Sequence, residues 1–139
     1  MYLDSCVLTK LFVTEPDSAG CLARVSGSVL VSSELAYGEL FSALLRKERG
    51  GEIDRAQREA VWGDFERQVR EESIYLAVLD GAIMRRAREV MLDVHPHVPL
   101  RTLDAIHLAT YLSVITGPLF TKDKRMRDAA RLLEIPLAE

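Results

Sequence analysis

Four carboxylates in this chain stand where solvation by itself does not explain them. Asp4 directly follows the short apolar run Tyr2-Leu3, and Asp123 stands just beyond Leu119-Phe120-Thr121. Glu39 falls inside a helical pattern whose turn-neighbours are Leu35, Ala36, Ser42 and Ala43, so its carboxylate is expected along a largely buried face. Asp104 interrupts the otherwise mostly apolar helical run Leu103-Asp104-Ala105-Ile106-His107-Leu108-Ala109. Burying ionised carboxylates is costly unless something compensates them, and four together also repel. A hard divalent cation, Mg²⁺ or Mn²⁺, is the natural compensation because it takes oxygen ligands. The chemistry these residues point to is therefore metal-centred.

Each acid also has a plainer reading. Asp4 and Asp123 both precede helical runs and fit helix N-caps. Asp104 can pair with Arg101 at i−3, and Glu39 can extend to the surface. Each plain reading is adequate singly, but four such placements in one chain make a shared site more economical. Glu34 lies five residues before Glu39, about 140° around a helix at 100° per residue, and reads as a first-turn acid favoured by the dipole. His107 is one turn after Asp104 and reads as a polar helix contact before a substrate contact. His95 and His97 flank Pro96 in a loop with no metal-site spacing. Trp62 and Phe65 are at helical spacing and fit core or interface better than a base-stacking platform. Gly-x-Gly-x-x-Gly, Walker and Gly-x-Ser-x-Gly motifs are absent.

Positioning these residues requires an α/β frame. Short β-type runs alternate with longer helical ones, which predicts a parallel sheet. Strands are expected at Tyr2-Leu3, Val29–Val31, Ile74–Val78 and Pro118–Thr121, with Ile135-Pro136-Leu137 as an edge strand where proline is tolerated. Helices are expected from Asp4 to about Thr14, ahead of Gly27, from a Ser32 or Ser33 cap to Gly50-Gly51, and over 54–71. Three more are expected after the Asp80 cap to Asp93, over 101–114, and over 124–133. Two of the acids thus follow strands directly, at the end where α/β sheets open their ligand crevice.

The 139 residues fit one domain over 1–139, and 48% hydrophobic with 28% charged residues excludes disordered and fibrous classes. Cys6 and Cys21 form no C-x-x-C pair, so neither a disulfide scaffold nor a structural zinc site is expected. The longest uncharged stretch, Ala105 to Thr121, holds His107 and is broken by Gly117-Pro118, which argues against a membrane span. The opening Met1-Tyr2-Leu3-Asp4 carries an acid where a leader would be basic, so a cytoplasmic location is expected. A net charge of −3 leaves nucleic acid open as a partner, because a local basic rim can hold phosphates beside an acidic pocket.

Tyr2-Leu3-Asp4-Ser5, Ser33–Leu44, Leu103–Ala109 and Phe120–Met126 together resemble the PIN-domain ribonucleases, specifically the VapC toxins of toxin–antitoxin pairs. The likeness runs in order over essentially the whole chain. It implies a PIN-like fold with a central parallel sheet of about five short strands flanked by helices. It further implies a metal-dependent endoribonuclease in which Asp4, Glu39, Asp104 and Asp123 bind Mg²⁺ or Mn²⁺. Ser5 and Thr121 match small hydroxyl positions that support such a site. An RNA substrate, a cognate VapB-type antitoxin and a homodimer are also implied. Lys122, Lys124 and Arg125, close in sequence to Asp123, are the favoured RNA-backbone contacts, ahead of Arg46, Lys47 and Arg49. Apolar residues on the 54–71 helix, Trp62 and Phe65, are candidates for an interface. The alternatives are a PIN nuclease acting in RNA processing outside a toxin pair, and a catalytically inactive PIN-like binding module.

Overall fold

Adjacent residues of a strand point to opposite faces, and that alternation divides the core of this protein in two. A computed structural model describes residues 1–114 and 117–138; Ile115 and Thr116, within the uncharged stretch, and Glu139 lie outside the described residues. The elements are β1 (Tyr2–Leu3), α1 (Ser5–Phe12), α2 (Ser18–Val25), β2 (Leu30–Ser33), α3 (Leu35–Arg49), α4 (Arg55–Arg70), β3 (Ile74–Ala77), α5 (Gly81–Val94), α6 (Thr102–Val114), β4 (Leu119–Phe120) and α7 (Lys124–Leu132). Tyr2, Val31 and Leu119 enter one buried cluster with α5, α6 and α7. Leu3, Ile74 and Phe120 enter the other, with α1, α2, α3 and α4. Such two-sided burial is what parallel strands require.

The sheet is parallel throughout, in the order β3-β2-β1-β4. The α/β architecture expected from the sequence holds, but the strand count differs. Four strands form, and the segment 135–137 contributes a single parallel bridge, Leu119 to Leu137, in place of a fifth. Pro136 has no N–H to donate, although its carbonyl accepts from Leu119 at 2.8 Å. The second strand is also displaced by a residue or two. Val29 is 76% exposed, and the ladder runs over Leu30–Ser33 instead.

Local signals account for several boundaries. Asp54 and Gln57 form a reciprocal capping box at the start of α4. Asp80 accepts from Ala82 and Ile83 and starts α5. Neither Ser32 nor Ser33 is the N-cap of α3, which is Glu34. Ser32 donates to the Leu3 carbonyl across the sheet, while Ser33 accepts from the Leu35 N–H. Helix α6 is apolar almost all round, with Ala105 through Tyr111 all buried, as expected for a helix packed on the sheet and against α5 and α7.

A polar clasp ties α1 to α3. Lys10 Nζ is 2.7 Å from both Glu15 and Asp17, and Lys47 Nζ is 3.1 Å from Glu15 and 2.9 Å from Glu52. Lys47 is thus buried and paired with acids. Hydrogen bonding from Lys10 lowers the Glu15 pKa; burial opposes this, and Lys47 adds to the lowering. A carboxylate held below its unfolded pKa stabilises the fold above that unfolded value, and loses the contribution as pH falls through the folded one. Glu15→Gln should therefore cost about 1–2 kcal/mol near neutrality. The difference from wild type should shrink below about pH 4, as read by urea unfolding at the two pH values.

Candidate active site

The strand order reverses direction at β1 and β4. The chain goes from β1 outward to β2 and β3, then returns to place β4 on the other side of β1. A crevice opens at the C-terminal ends of two strands diverging in this way. Asp4 follows β1, and Thr121 follows β4. Asp4 Oδ1 accepts from the Val7 N–H at 2.7 Å, capping α1, while Oδ2 accepts from the Thr121 hydroxyl. Asp4 is 3% exposed, and burial pushes its pKa up against the pull of those two hydrogen bonds.

Asp123 likewise serves two purposes. Its Oδ1 accepts from the Arg125 and Met126 N–H groups at 2.7 and 3.0 Å, capping α7. Thr121 Oγ1 in turn accepts from the Asp123 N–H at 3.1 Å. Asp4 and Asp123 each cap a helix and also line the cleft, because a cap engages only part of a carboxylate. Asp104, in the first turn of α6, is different: its Oδ2 is buried with no hydrogen-bond partner. Burial and the neighbouring Asp123 charge raise its pKa. No close side-chain ion pair with Arg101 forms among the described residues, but the Arg101 backbone N–H and its charge both act to lower the Asp104 pKa.

Glu39 lies on a less buried face than its neighbours suggested. Ser42 is exposed, Leu35 and Ala43 are half-buried, and the Glu39 side chain is 27% exposed, so this face of α3 is a cleft wall. Its Oε2 accepts from the Ser5 hydroxyl and from His107 Nε2 at 2.9 Å. Burial would raise the Glu39 pKa, but hydrogen bonds from His107 and Ser5 prevail and lower it. His107 is buried at the centre, with Nδ1 3.0 Å from the Tyr2 hydroxyl and Nε2 3.0 Å from Ser5 Oγ. Sequence reasoning took it for a polar helix contact. The available signal was its position on the Asp104 face of an apolar helix.

Asp4, Glu39, Asp104 and Asp123, with Ser5 and His107, line one small cleft of about 90 Å³, and Thr121 lies buried behind Asp4. The carboxylates share this cleft without forming a finished cage. Among the described residues no three His, Cys, Asp or Glu side chains are arranged to hold a metal ion. Like charges facing one another turn toward protein donors, as the hydrogen bonds of Asp4, Glu39 and Asp123 show. The donor set nonetheless fits a hard cation. All four acids supply oxygen, and the orphaned Asp104 Oδ2 is an acceptor that the protein itself does not satisfy.

A wider groove of about 690 Å³ shares Ser5, Cys6 and Glu39 with the cleft and is lined by Arg46 and Arg101. Neither arginine has an ion-pair partner among the described residues. The basic residues around Asp123 are less uniform than their sequence suggests. Lys124 pairs with Asp128 at 2.5 Å, and Lys122 is 3.7 Å from Asp17. Only Arg125 of the three bears on the cleft, where its charge acts to lower the Asp104 pKa. Arg101 went unnoticed as a basic rim residue because the groove forms only when α1, α3 and α6 meet.

Comparison with known proteins agrees with this architecture. The family model of the PIN domain matches residues 1–132. The chain is also 40% identical over 138 residues to Ribonuclease VapC46 of Mycobacterium tuberculosis (strain ATCC 25618 / H37Rv), covering 96% of this chain and 92% of that protein. Four acids from four distant points of the sequence, gathered at the switch point of a parallel sheet, accord with both matches: the chain belongs to the PIN-domain family, in its VapC-type branch.

Proposed function

We propose that this protein is a metal-dependent endoribonuclease, the toxin of a VapBC-type toxin–antitoxin pair, with Asp4, Glu39, Asp104 and Asp123 holding Mg²⁺ or Mn²⁺. The observation that carries the metal reading is the buried, unpartnered Asp104 Oδ2 in a cleft lined by the three other acids. A bound divalent cation would supply Lewis-acid activation of water and neutralise charge developing on the phosphate. The chain does the rest. Thr121 and the Val7 N–H hold Asp4 across the β1–β4 seam, and the start of α7 holds one oxygen of Asp123.

Support for an RNA substrate comes from the 40% identity to a protein named as a ribonuclease. Arg46, Arg101 and Arg125 are the cations best placed to take backbone phosphates, and Lys122 and Lys124 are secondary because each faces an acid. The whole of 1–139 acts as one domain in this reading. The expected partners are a VapB-type antitoxin and a second copy of the chain, in the cytoplasm. No helix among the described residues is long and apolar enough to cross a membrane.

The test is incubation of purified protein, freed of any co-purifying partner, with a total-RNA pool in Mg²⁺, Mn²⁺ or EDTA. Discrete fragments are expected with either metal and none in EDTA. Folded protein that cuts no RNA with either ion would overturn the enzyme reading and leave a binding module. As a second arm, Arg46→Ala with Arg101→Ala should weaken single-stranded RNA binding. The salt-dependence slope should fall by about 0.7 per lost phosphate contact.

A further inference from the structure

The acids of the cleft are assigned above, but the buried imidazole that touches one of them is not. His107 joins three elements: Tyr2 on β1 lies behind the ring, the ring itself is on α6, and Glu39 on α3 lies before it. Both ring nitrogens are engaged, and the ring also packs edge-on against Tyr2 with centroids 6.0 Å apart.

The contacts around the ring favour one arrangement of protons. A bare Nε2 lone pair 2.9 Å from the Glu39 carboxylate oxygen would be repulsive, so Nε2 carries hydrogen. The partner of Nδ1, at 3.0 Å, is the Tyr2 hydroxyl, which as donor makes Nδ1 the acceptor. The Tyr2 phenol O–H supplies the proton of that hydrogen bond. The Ser5 hydroxyl donates to the same Glu39 oxygen. Two donors therefore converge on Oε2, while Oε1 has no hydrogen-bond partner among the described residues.

We propose that His107 is a positioning residue whose Nε2–H, with the ring set from behind by the Tyr2 hydroxyl, holds Glu39 Oε2 and so presents Oε1 to a cation in the cleft. The inference rests on the metal-site reading given above. It explains why a polar ring is buried in an apolar helix, where leucine would pack without needing partners. It also explains why the hydrogen bonds concentrate on one oxygen of Glu39. Partners that orient a metal-binding side chain in this manner commonly matter ten- to a hundredfold in metal affinity.

The experiment is Mn²⁺ titration by calorimetry on the full chain, for wild type, His107→Leu, His107→Gln and Tyr2→Phe. It is paired with a long-range ¹H–¹⁵N spectrum of the metal-free protein. His107→Leu should bind Mn²⁺ about ten- to a hundredfold more weakly. His107→Gln, which keeps an N–H donor, should recover much of that loss, a rescue that a purely packing role does not predict. The spectrum should show the Nε2–H tautomer in wild type and a mixture in Tyr2→Phe. Wild-type affinity in His107→Leu, an Nδ1–H tautomer in wild type, or no recovery in a folded His107→Gln would each overturn the proposal. Wild type that binds no Mn²⁺ would instead overturn the metal-site reading, and this inference with it. Should His107→Leu fail to fold, Tyr2→Phe and His107→Gln still decide it.

Discussion

Asp104→Asn should abolish metal-dependent RNA cleavage, by about a hundredfold or more, and at the same time make the metal-free protein more stable. The two effects have one cause. The Asp104 Oδ2 atom is buried without a partner, and burial together with the Asp123 charge raises the group's pKa. The folded protein thus binds that proton more tightly than the unfolded chain does. For an acid shifted in this direction, the stabilising contribution is present at low pH and is lost as pH rises through the folded pKa. Asparagine keeps the shape without the charge. The advantage of the variant over wild type should therefore be small near pH 4 and larger near pH 7, reaching about 1 kcal/mol in EDTA.

Adding Mn²⁺ should reverse the order, because only a protein that binds the ion in its folded state gains stability from it. Thermal unfolding of both proteins at the two pH values, with EDTA and with Mn²⁺, measures every part of this. A variant less stable than wild type in EDTA at pH 7 would show that Asp104 is not electrostatically strained. A variant that still cleaves at the wild-type rate would remove Asp104 from the site.

The second large effect is expected far from the cleft. Phe65→Ala should cost about 3–5 kcal/mol of stability. Phe65 is completely buried and meets Phe12, Tyr37 and Trp62 at centroid distances of 5.5, 5.4 and 5.3 Å. It fastens α4 onto α1 and α3, and its removal leaves a cavity where Phe12 and Tyr37 had packed edge to face and Trp62 at a tilt. Urea unfolding followed by the fluorescence of Trp62 should show a lower midpoint with an unchanged slope. A loss below about 1 kcal/mol would mean that α4 closes onto the gap. From the sequence, Trp62 and Phe65 fit either core or interface, and the structure places Phe65 in the core. The helix is turned so that Phe65 faces inward and Trp62 is half-buried in an aromatic cluster with Tyr37 and Phe41.

Much of the architecture was legible because it rests on local physics. Apolar β-branched runs, caps at Asp54 and Asp80, and the glycines after α3 report backbone preferences that operate within a few residues. The same holds for Asp4 and Asp123, whose placement after strands and before helices is a statement about immediate neighbours. Leu137 shows the limit. Its segment has strand character, but pairing depends on what lies alongside, and Pro136 lacks the N–H for a regular ladder.

Charge was less legible than hydrophobicity, because an ion's role depends on partners that local order does not reveal. Lys47 and Arg46 are adjacent, yet one is buried against Glu15 and Glu52 while the other lines the groove. Lys124 and Arg125 are adjacent too, and only the second bears on Asp104.

Element types, the parallel α/β class and the four acids that stand apart from their solvated neighbours all follow from local order along the chain. That those acids share one cleft, that Asp104 Oδ2 is buried with no hydrogen-bond partner among the described residues, and that His107 meets Glu39 are matters of the three-dimensional packing. The reason is distance along the chain. Element type follows from contacts spanning a few residues, whereas Tyr2, Ser5 and Glu39 reach His107 across 105, 102 and 68 residues. Such meetings follow from strand order and helix packing, which no local pattern specifies.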